Sequence, residues 1–188
     1  MIEEAASGPV LVNPQKPTAI DLFCGAGGMS LGLQQAGFSV VCAADAWNIA
    51  VDTYRRNFSH PVICTDLTGC SASELKRLTG ISHIPIDLVV GGPPCQGFSI
   101  QRVGRDDDQR NTLVCEFARL VTELAPTLFM MENVPGLLGK RGYHLLDAFF
   151  DIVDIAGYEA EAHIVNAADY GTARLIAFSL RAIRVLAN

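Results

Sequence analysis

A cysteine braced by two prolines is the most informative chemical group in the chain. Cys95 follows Pro93-Pro94 in the segment GGPPCQGFS (91–99), directly after the apolar run 86–90. That run is short and β-branched and ends in Gly-Gly, which predicts a buried parallel strand. The prolines fix φ and remove backbone donors, so we expect a stiff exit from the strand. Open α/β sheets bind ligands at this end of their strands, and Cys95 is therefore predicted to be a nucleophile, although an isolated cysteine more often packs inertly in a core.

A carboxylic acid is predicted to face that thiol. Glu132 ends a further apolar run, 127–131, and we expect the two strands to be neighbours in the sheet. In a closed, partly apolar pocket a carboxyl group tends to stay protonated and can donate to a ring nitrogen. A thiolate beside such an acid suits covalent addition to an electron-poor ring. The alternative roles for Glu132 are a helix N-cap and a buried ion pair with an arginine such as Arg174.

A glycine-rich turn follows the first predicted strand and reads FCGAGG over 23–28. Its glycines let the backbone approach a ligand closely, and the next helix offers free N–H groups and a positive dipole end. Asp45, which ends the second predicted strand, could bond both hydroxyls of a ribose. Asp66, after the third, could contact an adenine amino group. Either acid could instead cap a helix. The three sites together predict a nucleoside-bearing cofactor.

Apolar strands alternate with helices along the chain, which predicts an α/β fold. We expect a doubly wound, mostly parallel seven-stranded sheet of the Rossmann-like methyltransferase type, with helices on both faces. One domain is predicted over 18–188, after a flexible N-terminal arm at 1–17. The predicted strands are 19–23, 38–43, 62–64, 86–90, 127–131, 158–165 and 175–180, and the predicted helices are 29–36, 46–57, 71–79, 112–124 and 143–156.

Composition narrows the class of protein and its compartment. The chain has 188 residues with a net charge of −6, which argues against this chain alone gripping DNA. Its six cysteines form no CxxC pair and no zinc-type spacing, so we expect a reducing, intracellular setting (cytoplasm or nucleoid/nucleus) and no metal. No apolar run is long enough for a membrane span. The charged stretch 99–110 is either a solvated loop or a mobile active-site loop.

Four segments, taken together, resemble the cytosine-5 DNA methyltransferase family. They match its first, fourth, sixth and eighth motifs in order and at plausible spacing, and the resemblance covers about 18–171. The segments are DLFCGAGGMS (21–30), GGPPCQGFS (91–99), MENVPG (131–136) and NAADYG (166–171).

The resemblance implies transfer of a methyl group from S-adenosyl-L-methionine to carbon 5 of a cytosine in DNA, as in restriction–modification. Cys95 would attack carbon 6 of a cytosine flipped out of the duplex, and Glu132 would protonate or hydrogen-bond ring nitrogen 3. Arg174 matches an arginine of the eighth motif, and 99–110 matches the loop that closes over the target base. The implied cofactor-binding residues are Phe23, Cys24, Gly25, Ala26, Gly27, Asp45, Ala46, Asp66, Leu67, Pro94 and Leu113.

The chain departs from the family pattern in two places. After residue 171 the family's Pro-Gln and one of its two arginines are absent. The sequence stops at Asn188, before the family's target-recognition region, so we expect a truncated or split enzyme that needs a partner chain carrying that region, or that self-associates. Two other interpretations stay open. One is a non-catalytic remnant or subunit that binds a complete partner, and the other is a transfer-RNA cytosine-5 methyltransferase.

Overall fold

The computed structural model describes residues 13–95, 112–140, 142–171 and 176–184; in 176–184 it describes the backbone and the side chains of Ala182 and Ile183. These residues form one seven-stranded sheet in the order β3-β2-β1-β4-β5-β7-β6. The pairs among the first five strands are parallel, whereas β7 pairs antiparallel with both β5 and β6. The strands are β1 (Thr18–Leu22), β2 (Ser39–Asp45), β3 (Val62–Cys64), β4 (Leu88–Gly91), β5 (Leu128–Asn133), β6 (Tyr158–Asn166) and β7 (Ile176–Arg184).

Helices cover both faces of this sheet. Alternate residues of a strand point to opposite faces, and the core divides in the same way. Helices α3, α4 and α5 pack on the face that contains Val89 and Phe129, whereas α1 packs on the face that contains Val90, and α2 lies over β2 and β3. The helices are α1 (Gly28–Gln35), α2 (Asn48–Asn57), α3 (Ala72–Leu78), α4 (Leu113–Leu124) and α5 (Tyr143–Ile155). In the described ranges no helix is both long and apolar enough to cross a bilayer.

The predicted fold class is confirmed, and the differences lie at element ends. Strand β5 continues through Glu132 and Asn133, which the sequence places after the strand. Helix α2 begins at Asn48 rather than at 46, because the Trp47 N–H donates to the side chain of Asp45 at 2.8 Å and the chain turns there. The link from β6 to β7 is shorter than the roughly twelve residues that a parallel crossover needs, so these strands pair antiparallel.

A buried acid lies beneath the glycine-rich turn. Asp21 is fully buried in β1, and its Oδ2 accepts hydrogen bonds from the Ser30 hydroxyl at 2.6 Å and the Ser30 N–H at 3.1 Å. The Ser30 hydroxyl also bonds Tyr54, whose hydroxyl reaches His60. The other carboxylate oxygen, Oδ1, has no partner among the residues that the structure describes. Burial raises the pKa of Asp21 to about 6, so the folded protein favours the neutral acid.

Replacing Asp21 with asparagine should remove a pH dependence of stability. The folded pKa of about 6 lies above the ordinary value of 3.8, so the stability from this group is complete below about pH 4 and is lost as the pH rises through 6. The difference corresponds to about 3 kcal/mol. We expect urea unfolding of the wild type to lose about that free energy between pH 4 and pH 7 relative to Asp21→Asn. The exposed Asp52→Asn serves as the control, and equal losses in both variants would contradict the assignment.

Candidate active site

The thiol of Cys95 and the carboxyl group of Glu132 lie at the same end of the sheet. Strands β4 and β5 are parallel neighbours, with Gly91 beside Met131, and Cys95 follows the carboxyl end of β4 while Glu132 lies at that of β5. A Cβ placed on Gly92 would stand 3.4 Å from Glu132 Oε2, so the carboxyl group extends over the start of the segment that leads to Cys95. The topology thus brings together the acid and the thiol that the sequence predicts.

The glycine before Gly92 is required by the sheet itself. A Cβ on Gly91 would lie 2.6 Å from the Leu22 carbonyl oxygen and 2.6 Å from the Phe117 ring. A backbone oxygen cannot move away without breaking the β1–β4 pairing. Gly91 therefore allows β4, which leads to Cys95, to lie directly against β1, which leads into the glycine-rich turn.

The side chain of Asn133 links the end of β5 to the proline segment before Cys95. It is 4% exposed, and its amide Nδ2 donates to the Pro93 carbonyl at 2.9 Å. Its Oδ1 accepts the Val134 N–H at 2.9 Å, which fixes the amide orientation. One buried side chain at the end of β5 thereby holds the proline segment that carries Cys95.

Removing this amide should loosen the segment that carries the thiol. Asn133→Ala leaves the buried Pro93 carbonyl without its donor, and we expect a loss of about 1–3 kcal/mol in the free energy of unfolding. The variant Asn133→Asp keeps an acceptor for the Val134 N–H but has no donor for Pro93, so it should lose at least as much. Urea denaturation measures both, and a loss confined to the alanine variant would show that volume rather than the hydrogen bond matters.

Burial raises the pKa of both predicted catalytic groups. Cys95 is 7% exposed, and burial raises the pKa of its thiol to about 11, so this thiol is neutral near pH 7. Burial also raises the pKa of Glu132, which favours proton donation by this carboxyl group. Arg174 and the stretch 99–110 lie outside the described residues.

The glycine-rich turn is fixed by an acid from the neighbouring strand. Asp45 Oδ2 accepts the Gly25 N–H at 2.8 Å, and its Oδ1 accepts the Trp47 N–H, so this acid braces the turn and also caps the start of the next segment. Each carboxylate oxygen keeps a further lone pair for a ligand hydroxyl. Gly27 has φ of 99°, and a Cβ there would lie 2.2 Å from the Phe58 ring, so only glycine fits. The non-glycine Phe23 also has positive φ, 56°.

A small pocket opens between the ends of β2 and β3. Asp66 is exposed in it, and its Oδ1 accepts from the Thr68 N–H at 3.0 Å and the Thr68 hydroxyl at 2.8 Å. Among the described residues its Oδ2 accepts no hydrogen bond, which leaves it for a ligand. The lining residues are Ala46, Cys64, Thr65, Asp66, Gly69, Cys70 and Glu74.

The other predicted cofactor residues differ in what they can offer. Ala26 is exposed beside the turn, Pro94 is exposed before Cys95, and Leu113 is half-buried at the start of α4. The side chains of Leu67 and Cys24 are 2% and 6% exposed and pack in the core, so only their backbones are available to a ligand. Burial raises the pKa of Cys24, which makes its thiol an inert apolar group.

Two supporting residues were not predicted from sequence. Asp21 belongs to the first motif, and an ionisable residue inside an otherwise apolar strand is itself a signal of a buried hydrogen-bond network. Asn133 follows Glu132 in the segment MENVPG. No local pattern indicates that its amide reaches Pro93, because the two are 40 positions apart.

Known proteins are similar to this chain in sequence. The family model described as C-5 cytosine-specific DNA methylase matches residues 18–175. Type II methyltransferase M.XorII of Xanthomonas oryzae pv. oryzae is 41% identical over 159 residues, 83% of this chain and 38% of that protein. Type II methyltransferase M1.HphI of Haemophilus parahaemolyticus is 43% identical over 166 residues, 84% of this chain and 43% of that protein. The chain spans about two fifths of the length of these curated relatives.

Solved structures of methyltransferases have the same fold as this chain. A protein described as a DNA modification methyltransferase encoded within an E. coli prophage superposes with a TM-score of 0.80 at 35% identity, over 90% of this chain and 47% of that one. The Entamoeba histolytica methyltransferase EhMeth superposes with a TM-score of 0.71, over 92% of this chain and 54% of that one. Its identity is 20%, so this second likeness concerns the fold alone.

Proposed function

The chain belongs to the C-5 cytosine-specific DNA methylase family, and from this premise we propose that it transfers a methyl group from S-adenosyl-L-methionine to carbon 5 of cytosine in DNA. One observation carries the proposal beyond family membership. The Cys95 segment and Glu132 occupy the carboxyl ends of adjacent strands, beside a glycine-rich turn and its bracing acid. A methyl donor on that turn and a ring over β4 and β5 would be close neighbours.

The residues at the carboxyl ends of β1, β2 and β3, and just after them, have the chemistry that S-adenosyl-L-methionine requires. Asp45 has lone pairs for the ribose hydroxyls, and Asp66 has a free acceptor for an adenine amino group. A Cβ placed on Gly25 or on Gly28 would meet nothing within 4 Å, so the turn is open to a ligand there. When bound there, the cofactor would supply a methyl group on a positively charged sulfur.

We propose that the reaction proceeds through a covalent adduct with Cys95. The thiol would give up its proton to solvent, and its sulfur would bond to carbon 6 of cytosine. The carbon 5–carbon 6 electron pair would shift toward carbon 4 and nitrogen 3, which would take a proton from Glu132. Carbon 5, now electron-rich, would accept the methyl group that the bound cofactor supplies. Loss of the carbon 5 proton to a base and return of the nitrogen 3 proton to Glu132 would then restore the carbon 5–carbon 6 double bond and expel the Cys95 thiolate.

We propose that DNA binding needs basic residues outside these 188, for example on a partner chain. The net charge of −6 over this sequence opposes attraction to a polyanion, so basic contacts to phosphate are expected to come from elsewhere. The proposed substrate places the activity inside the cell. Light scattering, with and without duplex DNA, distinguishes a partner requirement from self-association of this chain.

Transfer of a labelled methyl group tests the proposal. The chain is incubated with methyl-tritiated S-adenosyl-L-methionine and duplex DNA, with and without candidate partner chains, and the nucleosides are separated. We expect the label in 5-methylcytosine, and none when every cytosine is already methylated at carbon 5. Label in transfer RNA but not in DNA would establish the RNA alternative. Cofactor binding without transfer to either nucleic acid, whatever the partner, would establish a non-catalytic subunit.

A further inference from the structure

An arginine on α4 reaches across to the turn that forms the small pocket. The Nη2 atom of Arg119 donates to the Leu67 carbonyl at 3.1 Å and to the Cys70 carbonyl at 2.9 Å. These two carbonyls flank the turn after Asp66, more than 45 positions earlier in the sequence. The arginine thus contacts the pocket from behind, through its backbone.

Two acids on the same helix fix the guanidinium. Its Nε donates to Glu116 Oε2 at 2.9 Å, and its Nη1 pairs with Glu123. The other oxygen of Glu123 accepts the Ala72 N–H at 2.8 Å, at the start of α3. Arg119 and Glu123 therefore hold both ends of the segment between β3 and α3, one by its carbonyls and the other by its first helical N–H.

The held segment presents the ligand-facing acid of the pocket. Thr68 occupies one oxygen of Asp66 and so fixes the carboxylate, while the second oxygen stays available. Gly69 and Cys70 form the adjoining wall. The direction of the Asp66 carboxylate depends on this turn. Besides Arg119, the described residues hold it through the buried Leu67 and Cys70 side chains and through a hydrogen bond from the Cys70 N–H to the Leu67 carbonyl at 3.4 Å.

We propose that Arg119 is a positioning residue for the base end of the cofactor site: it holds the 66–70 turn so that Asp66 can accept a hydrogen bond from the exocyclic amino group of a purine. The inference rests on the proposed function, because it takes the pocket to be the nucleoside end of an S-adenosyl-L-methionine site. Arg119 does not line the small pocket. Its effect should therefore appear in base selectivity rather than in chemistry.

Lysine cannot replace this arginine. Four bonds leave the planar guanidinium in fixed directions, toward Glu116, Glu123 and the two carbonyls. An ammonium group has three donors on one atom and cannot span these acceptors. Arg119→Lys consequently keeps the charge and loses the geometry, which makes it the informative variant.

Calorimetry with two ligands isolates the positioning role. S-adenosylhomocysteine carries the amino group, whereas S-inosylhomocysteine has an oxygen in its place. We expect the wild type to prefer the adenosyl ligand by about tenfold or more, since a site built to accept a donor rejects an analogue without it. In Arg119→Lys the affinity for the adenosyl ligand should fall about tenfold, the affinity for the inosyl ligand should change little, and the preference should approach one.

Companion variants separate positioning from stability. Glu123→Gln keeps an acceptor for Ala72 and leaves Arg119 in place, so it should lower the base preference in the same direction but less, by about threefold. Arg55→Lys, in an exposed pair with Asp52 on α2, is the matched control and should change neither affinity. Melting temperatures are recorded without ligand for every variant.

Each outcome bears on one claim. A lower melting temperature with an unchanged base preference in Arg119→Lys and Glu123→Gln would make the arginine purely structural and overturn the inference. A wild type that binds both ligands equally would also overturn it, while leaving the cofactor assignment intact. A wild type that binds neither ligand would defeat the proposed function, and this inference with it.

Discussion

Cys95→Ser should abolish covalent capture of DNA and lower methyl transfer by about 10³-fold or more, the scale of losing an enzyme nucleophile. In the proposed mechanism the sulfur attacks carbon 6 as a thiolate, and a serine hydroxyl would need a dedicated base to become comparably reactive. Burial already keeps the thiol of Cys95 neutral, and a hydroxyl is a far weaker acid in the same place. The measurement is a denaturing gel of the protein with DNA that contains 5-fluorocytosine, which has no carbon 5 proton to lose and therefore traps the adduct.

The control is a half-buried cysteine outside the candidate site. Cys115→Ser, on α4, should form the adduct at the wild-type rate. Both variants should bind S-adenosylhomocysteine as the wild type does, because neither residue lies in the glycine-rich turn or the small pocket. A Cys95→Ser protein that still transfers methyl groups would reduce the thiol to a packing group, whatever its place in the sheet.

Glu132→Gln should lower kcat by about 10²-fold or more near pH 7, the usual scale of a general acid. Glutamine keeps a hydrogen-bond donor for nitrogen 3 of the ring but cannot give up a proton. The substitution therefore separates proton transfer from hydrogen bonding. Glu159→Gln, exposed on β6, serves as the control and should leave kcat unchanged.

The pH profile should change shape as well as height. The reactive form needs a thiolate at Cys95, whose pKa is about 11, and a protonated Glu132, whose pKa burial also raises. Above the pKa of Glu132, each gain in thiolate with rising pH is offset by an equal loss of protonated acid, so the wild-type kcat/KM should level off. In Glu132→Gln nothing offsets the gain, and kcat/KM should keep rising with pH toward about 11. Parallel profiles in the two proteins would remove Glu132 from the proton transfer.

The positions of the candidate catalytic residues at strand ends follow from local sequence. Runs such as 86–90 are apolar on both faces, and an apolar strand buried on both faces belongs to a parallel sheet. Its polar successors must then lie at the carboxyl edge. This reasoning predicts Asp45 and Cys95 at the carboxyl ends of β2 and β4, where the structure has them, and it places Glu132 just after a strand that in fact continues one residue beyond it.

Features that depend on distant partners could not be predicted in this way. Strand β7 lies between β5 and β6 because, among the described residues, the edge of β5 has no other strand to pair with. The periodicity of the sequence does not indicate this pairing. In the sequence, Arg119 has the spacing of ordinary helical ion pairs with Glu116 and Glu123. Nothing in that spacing indicates its contact with the Leu67 and Cys70 carbonyls. The protonation of Cys95 is set by burial, which the proline brace alone does not reveal.

The close approach of the β1 and β4 backbones at Gly91 determines which substitutions would disturb the candidate site. The cofactor turn leaves β1 just after Leu22, the thiol segment leaves β4 just after Gly91, and no side chain stands between the two backbones there. Their separation is therefore the spacing of hydrogen-bonded strands, about 4.8 Å, rather than a result of side-chain fit. Substitutions in the aromatic core around Phe129 and Phe149 would alter stability but would leave the separation of these two backbones unchanged. A single methyl group on residue 91 would push the two strands apart.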